Sequence, residues 1–171
     1  ADLGADVIKV EDTGAGDYAR DLGNVPGGVS AFFRAVNRNK RSVALNLKHE
    51  GGRAALAALS RRADVLVESF RPGVVAALGV DAATLRAANP RLVYASITGY
   101  GQTGPRAHHA GHDINFLGYA GILDQTGTRG GAPALSNLQI ADLWGGAATA
   151  AIAILAACFD TQRTGQGRTI D

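Results

Sequence analysis

Two side chains in this sequence sit where acid–base chemistry could be done. Asp142 is a carboxylate directly before Leu143-Trp144-Gly145-Gly146, at the start of a long apolar segment. An acid held at the opening of an apolar helix, with two glycines baring backbone beside it, can act as a base or as a nucleophile toward a ligand. Its plain structural role is an N-cap, and both roles can hold together. His112 precedes Asp113-Ile114-Asn115-Phe116-Leu117, where the pattern predicts a helix with Asp113 as N-cap or first-turn acid. That start would fix the imidazole beside the helix entry.

Other polar clusters carry weaker signals. His108, His109, His112 and Asp113 lie close in sequence, but with neither an HExxH helix nor a Cys partner the spacing matches no metal-ligand motif, so no metal is expected. Glu11-Asp12 ends a strand before the Gly14-Ala15-Gly16 turn, where an acid could hold a ribose. No GxGxxG fingerprint accompanies it, and the plain reading is a glycine turn with solvated acids. Asn37-Arg38-Asn39-Lys40-Arg41 is a compact basic loop, followed by Lys48 beyond the next strand. It is either a solvated loop or a set of phosphate donors. Ser69-Phe70-Arg71-Pro72-Gly73, between a strand and a helix, is a possible anion or adenine site.

The elements that must position these residues follow from hydrophobic patterning. Short Val/Ile runs alternate with Ala/Leu-rich segments, the pattern of βα units whose strands are buried on both faces. Strands are expected at 6–11, 42–47, 64–68 and 91–97, with another beginning near Arg168. Helices are expected at 50–62, 72–78 and 82–89, with Gly79 and Asn89-Pro90 as stops. Gly99 to Pro105 and Gln125 to Pro133 read as loops, and loops beyond the carboxyl ends of parallel strands are where α/β proteins place ligands. Leu143 to Phe159 is almost wholly apolar but is bracketed by Asp142 and Asp160 and falls short of the roughly 20 residues of a membrane span, so a buried core helix is expected.

Length and composition bound the rest. The 171 residues, 46% hydrophobic and 19% charged, suit one globular domain with a sizeable core. A net charge of +2 gives no argument for a nucleic-acid partner. The lone Cys158, set in an Ala/Ile/Leu run, reads as a buried small apolar residue in a protein of a reducing, cytoplasmic compartment. There is no Met, Ala1-Asp2-Leu3-Gly4 resembles a helix end, and Gly167 to Asp171 stops as a strand begins. The expectation is therefore an α/β chain, a Rossmann-like parallel sheet with flanking helices, incomplete at both ends. No signal peptide pattern is visible.

Several blocks in order carry a resemblance: Ala110-Gly111-His112-Asp113-Ile114-Asn115, Ile140-Ala141-Asp142-Leu143-Trp144-Gly145-Gly146, Asp64-Val65-Leu66-Val67-Glu68-Ser69-Phe70-Arg71-Pro72-Gly73 and Thr98-Gly99-Tyr100-Gly101-Gln102-Thr103-Gly104-Pro105. Together with Ala5 to Glu11, Asn39 to Ser42 and Thr164 to Gly167, they resemble the family III CoA-transferase superfamily (CaiB/BaiF type) across essentially the whole chain. Within it the Gly-His-Asp-Ile-Asn block is similar to that of the α-methylacyl-CoA racemases.

The resemblance implies that His112 and Asp142 flank the α-carbon of a 2-methylacyl-CoA thioester, one removing the proton and the other returning it. Free N–H groups at the helix start after Asp142 could then help hold the enolate oxygen. The alternative it implies is CoA transfer between carboxylic acids through an acyl-aspartyl anhydride on Asp142. A third possibility is a binding or dimerization module without activity. The resemblance further implies coenzyme A, as acyl-CoA substrate, held near Leu45, Lys48, Ser69, Phe70 and Arg71. It also implies an interlocked homodimer, with a second, smaller domain and a first strand outside this chain; the near-balanced charge and the bracketed apolar run lead to the expectation of no nucleic-acid or membrane partner. Asp12 and Ala77 stand where many members carry Arg, so either other cations make any phosphate contacts, with Arg38, Lys40 and Arg41 as candidates, or CoA is bound more weakly.

Overall fold

Every strand pairing among the described residues is parallel, as the alternation of short β-branched runs with helical segments requires. The computed structural model describes residues 1–23 and 25–171. It divides into two compact units, Ala1–Ala58 and Leu59–Asp171.

In the first unit β1 (Ile8–Glu11) pairs with β2 (Arg41–Ala44) in register from Ile8 opposite Arg41 to Glu11 opposite Ala44. The crossover contains a 3-10 turn at Tyr18–Asp21 and α1 (Ala31–Val36), capped by Ser30 Oγ, which accepts the Phe33 N–H at 3.2 Å. Phe33 is buried, and the Arg20 guanidinium lies 4.2 Å over its ring. Helix α2 (Glu50–Ser60) follows. At the start of the chain Gly4 donates its N–H to the Ala1 carbonyl, closing a single turn.

In the second unit β3 (Val65–Glu68), β4 (Val93–Ser96) and β5 (Thr169–Ile170) form a sheet with β4 in the middle. Leu92, Val93, Tyr94 and Ala95 are almost wholly buried, so the expected two-faced burial holds at β4, the central strand, while β2 in the other unit is mostly exposed. The Tyr94 hydroxyl donates to the Val80 carbonyl at 3.2 Å, and burial, with Glu68 nearby, raises its pKa. Between β3 and β4 lie α3 (Val74–Ala77) and α4 (Ala82–Ala88), the latter capped by Asp81, whose Oδ1 accepts the Thr84 N–H at 3.0 Å. Helix α3 is shorter than expected because Gly73, at φ +89°, keeps the residues after β3 in a turn.

The last segments are α5 (Asp113–Tyr119), an eight-residue π-helical stretch Ala141–Ala148, and α6 (Thr149–Thr164), which continues that stretch without a break. Helix α6 packs on β4 and β5, and α5 packs on the π-helical stretch. The expected burial of the apolar helix is corrected here: Ala157 and Thr161 are buried, one turn apart, whereas Trp144 is 66% and Ile152 70% exposed, and Leu155 and Phe159 are exposed too. A three-stranded sheet covers one stripe of a helix, and a helix that is apolar all round says nothing of how many stripes are covered. Cys158 is likewise half-buried rather than buried. With its π-helical start the helix runs 24 residues, Ala141–Thr164, longer than the segment read from sequence, and by length and composition alone it could cross a membrane.

Candidate active site

Because β3 and β4 are neighbouring parallel strands, the segments that leave their carboxyl ends emerge side by side. The Ile97 N–H donates to the Glu68 carbonyl at 2.9 Å, joining the two exits. A cavity of about 250 Å³ opens there, lined by Ser69, Phe70 and Arg71 after β3, Gly99 and Tyr100 after β4, and His112. This is the position expected of a ligand site in an open α/β sheet.

Each wall is held by identifiable contacts. The Glu68 carboxylate, itself buried, accepts the Phe70 N–H at 2.7 Å and so fixes the turn that carries Ser69, Phe70 and Arg71. The glycine-rich loop after β4 is tied by Asp171, whose Oδ2 accepts the Gln102 N–H at 2.8 Å. Phe116, from the first turns of α5, lies so close to Gly99 that a β-carbon there would stand 2.3 Å from its ring, and one at Gly111 would stand 2.8 Å from it. Tyr100 meets Phe116 edge-on at 5.2 Å and Tyr119 at 5.7 Å. Glycine at 99 and 111 is therefore a requirement of aromatic packing. Sequence reasoning missed Glu68, Phe116 and Asp171 in these supporting roles; the paired glycines were the signal that something bulky stands opposite.

His112 is the N-cap residue of α5, and Asn115 Oδ1 accepts its backbone N–H at 3.0 Å. Asp113 is the first helical residue, the first-turn acid of the two roles expected for it, and its Oδ1 accepts the backbone N–H of Asp142 at 2.9 Å. That bond brings the start of the π-helical stretch to the start of α5, and with it Asp142 to His112. Asp142 thus does not cap its own helix; it sits inside the first turn and is capped by Asp113. The amide of Leu143 is donated to the Gln139 carbonyl at 3.0 Å, so the amides of Asp142 and Leu143 are both engaged and are not free donors for an enolate oxygen.

The Asp142 side chain is exposed and accepts no hydrogen bond among the described residues. Partial desolvation and the nearby Asp113 carboxylate hold it above the ordinary aspartate range, and His112 acts in the opposite direction. A carboxylate so placed is easier to protonate and, when ionised, carries unshared lone pairs, which suits a base or a nucleophile. The π-helical winding at Asp142 is a further mark, since such winding is frequent at functional sites.

The other sequence candidates resolve differently. Leu45 and Lys48 lie in the first unit: the Leu45 N–H donates to the Glu11 carbonyl at 2.9 Å, and Lys48 is exposed in the turn before α2. Glu11 is buried and saturated by Arg20, Ser42 and the Asp17 amide, so it offers no free oxygen to a ribose; Asp12 folds back onto the Gly14 N–H at 2.9 Å. His108 and His109 are exposed, and no group of three or more His, Cys, Asp or Glu among the described residues could hold a metal ion.

Known proteins share this arrangement of blocks. The chain is 44% identical to the acetyl-CoA:oxalate CoA-transferase of Acetobacter aceti over 99% of its own length and 44% of the relative's. It is 40% identical to the human alpha-methylacyl-CoA racemase over 100% of its own length and 41% of the relative's. The crystal structure of a CAIB/BAIF family protein from Brucella suis superposes with a TM-score of 0.93 at 42% identity, covering 99% of this chain and 46% of that one. The chain thus spans less than half the length of these relatives. A family model described as CoA-transferase family III matches residues 1–171, from the first strand through the His112 and Asp142 blocks to β5, and the chain belongs to that family.

Proposed function

We propose that this chain is part of the CoA-binding large domain of an acyl-CoA enzyme that racemizes the α-carbon of 2-methylacyl-CoA thioesters, with His112 and Asp142 as its two acid–base groups. The observation that carries the reading is the bond from the Asp142 amide to Asp113 Oδ1, which gathers a cavity-lining imidazole and a free carboxylate at one place. A thioester acidifies its α-hydrogen. One of the two groups removes that proton and leaves its electron pair in the enolate; the other returns a proton to the opposite face, inverting the centre. Either group can begin, because the pair must interconvert both enantiomers.

In this reading coenzyme A is the handle of the substrate, with Ser69, Phe70 and Arg71 at the cavity wall and Leu45 and Lys48 in the first unit as its contacts. The complete enzyme is an interlocked homodimer of the cytoplasm, with a second domain supplying the rest of the acyl pocket and with no membrane or nucleic-acid partner. Asp142, Asp160 and Arg163 within the long apolar helix favour its being covered by protein.

A second reading has its own support. The Asp142 carboxylate is exposed and free of donors, as a nucleophile must be, and relatives of equal similarity carry the name of CoA-transferases. There Asp142 attacks the acyl carbonyl, expels the CoA thiolate and forms a mixed anhydride; a second carboxylate displaces the first acid from that anhydride, and the retained CoA thiolate then attacks the new acyl group, forming the second thioester and freeing the Asp142 carboxylate. The deciding experiment incubates the full-length enzyme with one enantiomer of a 2-methylacyl-CoA in heavy water, with a free carboxylic acid present. Deuterium at the α-carbon with loss of optical purity is the expected result. CoA on the added acid without α-exchange establishes transfer instead, and neither reaction leaves a module without activity.

A further inference from the structure

The basic stretch Asn37 to Arg41 precedes β2 in the first unit. Within the first unit it borders a second cavity of about 230 Å³, whose lining includes Lys9, Arg20, Asn37, Lys40 and Ser42. The cations around it are nearly all neutralised by carboxylates of their own unit. Arg38 pairs with Asp2, Arg41 with Asp6 at 2.7 Å, Lys9 with Asp17 at 2.7 Å and Arg20 with Glu11 at 2.8 Å. Lys40 is the exception among these five: its ammonium donates to the neutral Asn37 Oδ1 at 3.1 Å, and no carboxylate among the described residues lies within ion-pair distance.

Donor arithmetic shows what the cavity offers. An ammonium has three N–H groups, so Lys40 keeps two beyond its bond to Asn37, and Lys9 keeps two beyond Asp17. Arg20 commits Nε and one N–H of Nη2 to Glu11, which leaves Nη1 and the second N–H of Nη2. Glu11 also borders the cavity, but its oxygens already accept from Arg20 twice, from Ser42 at 2.7 Å and from the Asp17 amide at 3.1 Å. It is a neutralised floor rather than a competing anion. Burial, and then the Lys9 ammonium, push the Lys40 pKa down against the opposing pull of the Asp17 carboxylate.

We propose that this cavity binds a phosphate-type oxyanion, with Lys40 as its charge partner and Lys9 and Arg20 as flanking donors. Three donors on separate side chains around one recess match the several terminal oxygens of a phosphate better than the two of a carboxylate. The proposal stands independently of the acyl-CoA reading, because it needs no thioester chemistry.

The test is calorimetric titration of the full-length protein with inorganic phosphate at low ionic strength, in the wild type and in Lys40→Gln, Lys40→Arg and Arg38→Gln. Saturable binding is expected, weakened about 10-fold or more by Lys40→Gln, kept within about 3-fold by Lys40→Arg, and unchanged by Arg38→Gln, whose ion pair lies outside the cavity lining. Competition by CoA but not by dephospho-CoA would identify the 3′-phosphate of the cofactor as the natural occupant. Simultaneous binding of CoA and phosphate would identify a separate phosphate site. No saturable binding up to about 10 mM phosphate, Lys40→Gln binding like the wild type, or loss of binding in Lys40→Arg would each overturn the proposal.

Discussion

Glu11 in the first unit and Asp142 in the second are carboxylates with opposite surroundings. Glu11 is buried and accepts four hydrogen bonds, two of them from Arg20 at 2.8 and 2.9 Å. The Arg20 guanidinium foremost holds its carboxyl down at about 2. Asp142 is exposed, accepts none among the described residues, and is held above the ordinary range by desolvation and by Asp113. One acid is spent on holding its unit together, and the other is left unspent. Charge alone therefore does not separate the two acids; what separates them is whether their partners are present.

The comparison is broken most directly at Asp142. Asp142→Ala in the full-length enzyme should reduce α-proton exchange and any CoA transfer by about 10³-fold or more, with the fold intact by circular dichroism. His112→Ala should abolish α-exchange as well. Wild-type deuterium uptake in that variant would remove the reason for preferring racemization.

The next largest effect lies at the spent acid. Because the folded pKa of Glu11 is depressed from 4.5 to about 2, its contribution is fully present above the unfolded value and is lost as pH falls from about 4.5 toward 2. Glu11→Gln should cost roughly 2 to 3 kcal/mol near neutral pH, read from urea midpoints, and should flatten the acid limb of the stability curve. An equally steep acid limb in the variant would show that Glu11 does not hold this unit.

Smaller effects sharpen the picture of the unspent acid. Gly99→Ala should destabilise by about 1 to 3 kcal/mol through the collision with Phe116, and Phe116→Leu in the same chain should recover part of that loss. Asp113→Asn keeps an acceptor for the Asp142 amide but removes a negative neighbour. It should shift the acid limb of the kcat profile to lower pH while changing the maximal rate less than about 10-fold, whereas Asp113→Ala should lower the rate further by releasing the helix start. An unmoved acid limb in Asp113→Asn would separate Asp113 from the titration of Asp142.

Much of this was legible in the residue order. The five strand positions follow from Val/Ile runs bounded by turn residues, and each was found within a few residues of its expected place. His112 and Asp142 stood out because each precedes a helical segment. What the pattern could not carry was the identity of the capping partner. Asp142 looked like the cap of its own helix, but Asp113, far off in sequence, takes that place. Nor could hydropathy tell a helix covered on one stripe from one covered all round, which is why Trp144 and Ile152 proved exposed.

By itself, then, the sequence determined the βα alternation, the parallel pairing and the family, and it singled out two candidate side chains, because these rest on local periodicity and on blocks of contiguous residues. Only the tertiary structure decided which charges are consumed and which are left free. That depends on meetings such as Arg20 with Glu11 and Asp113 with the Asp142 amide. Such pairings arise from chain reversals and sheet register, and residues of the same type along the chain do not announce which of them will be brought together.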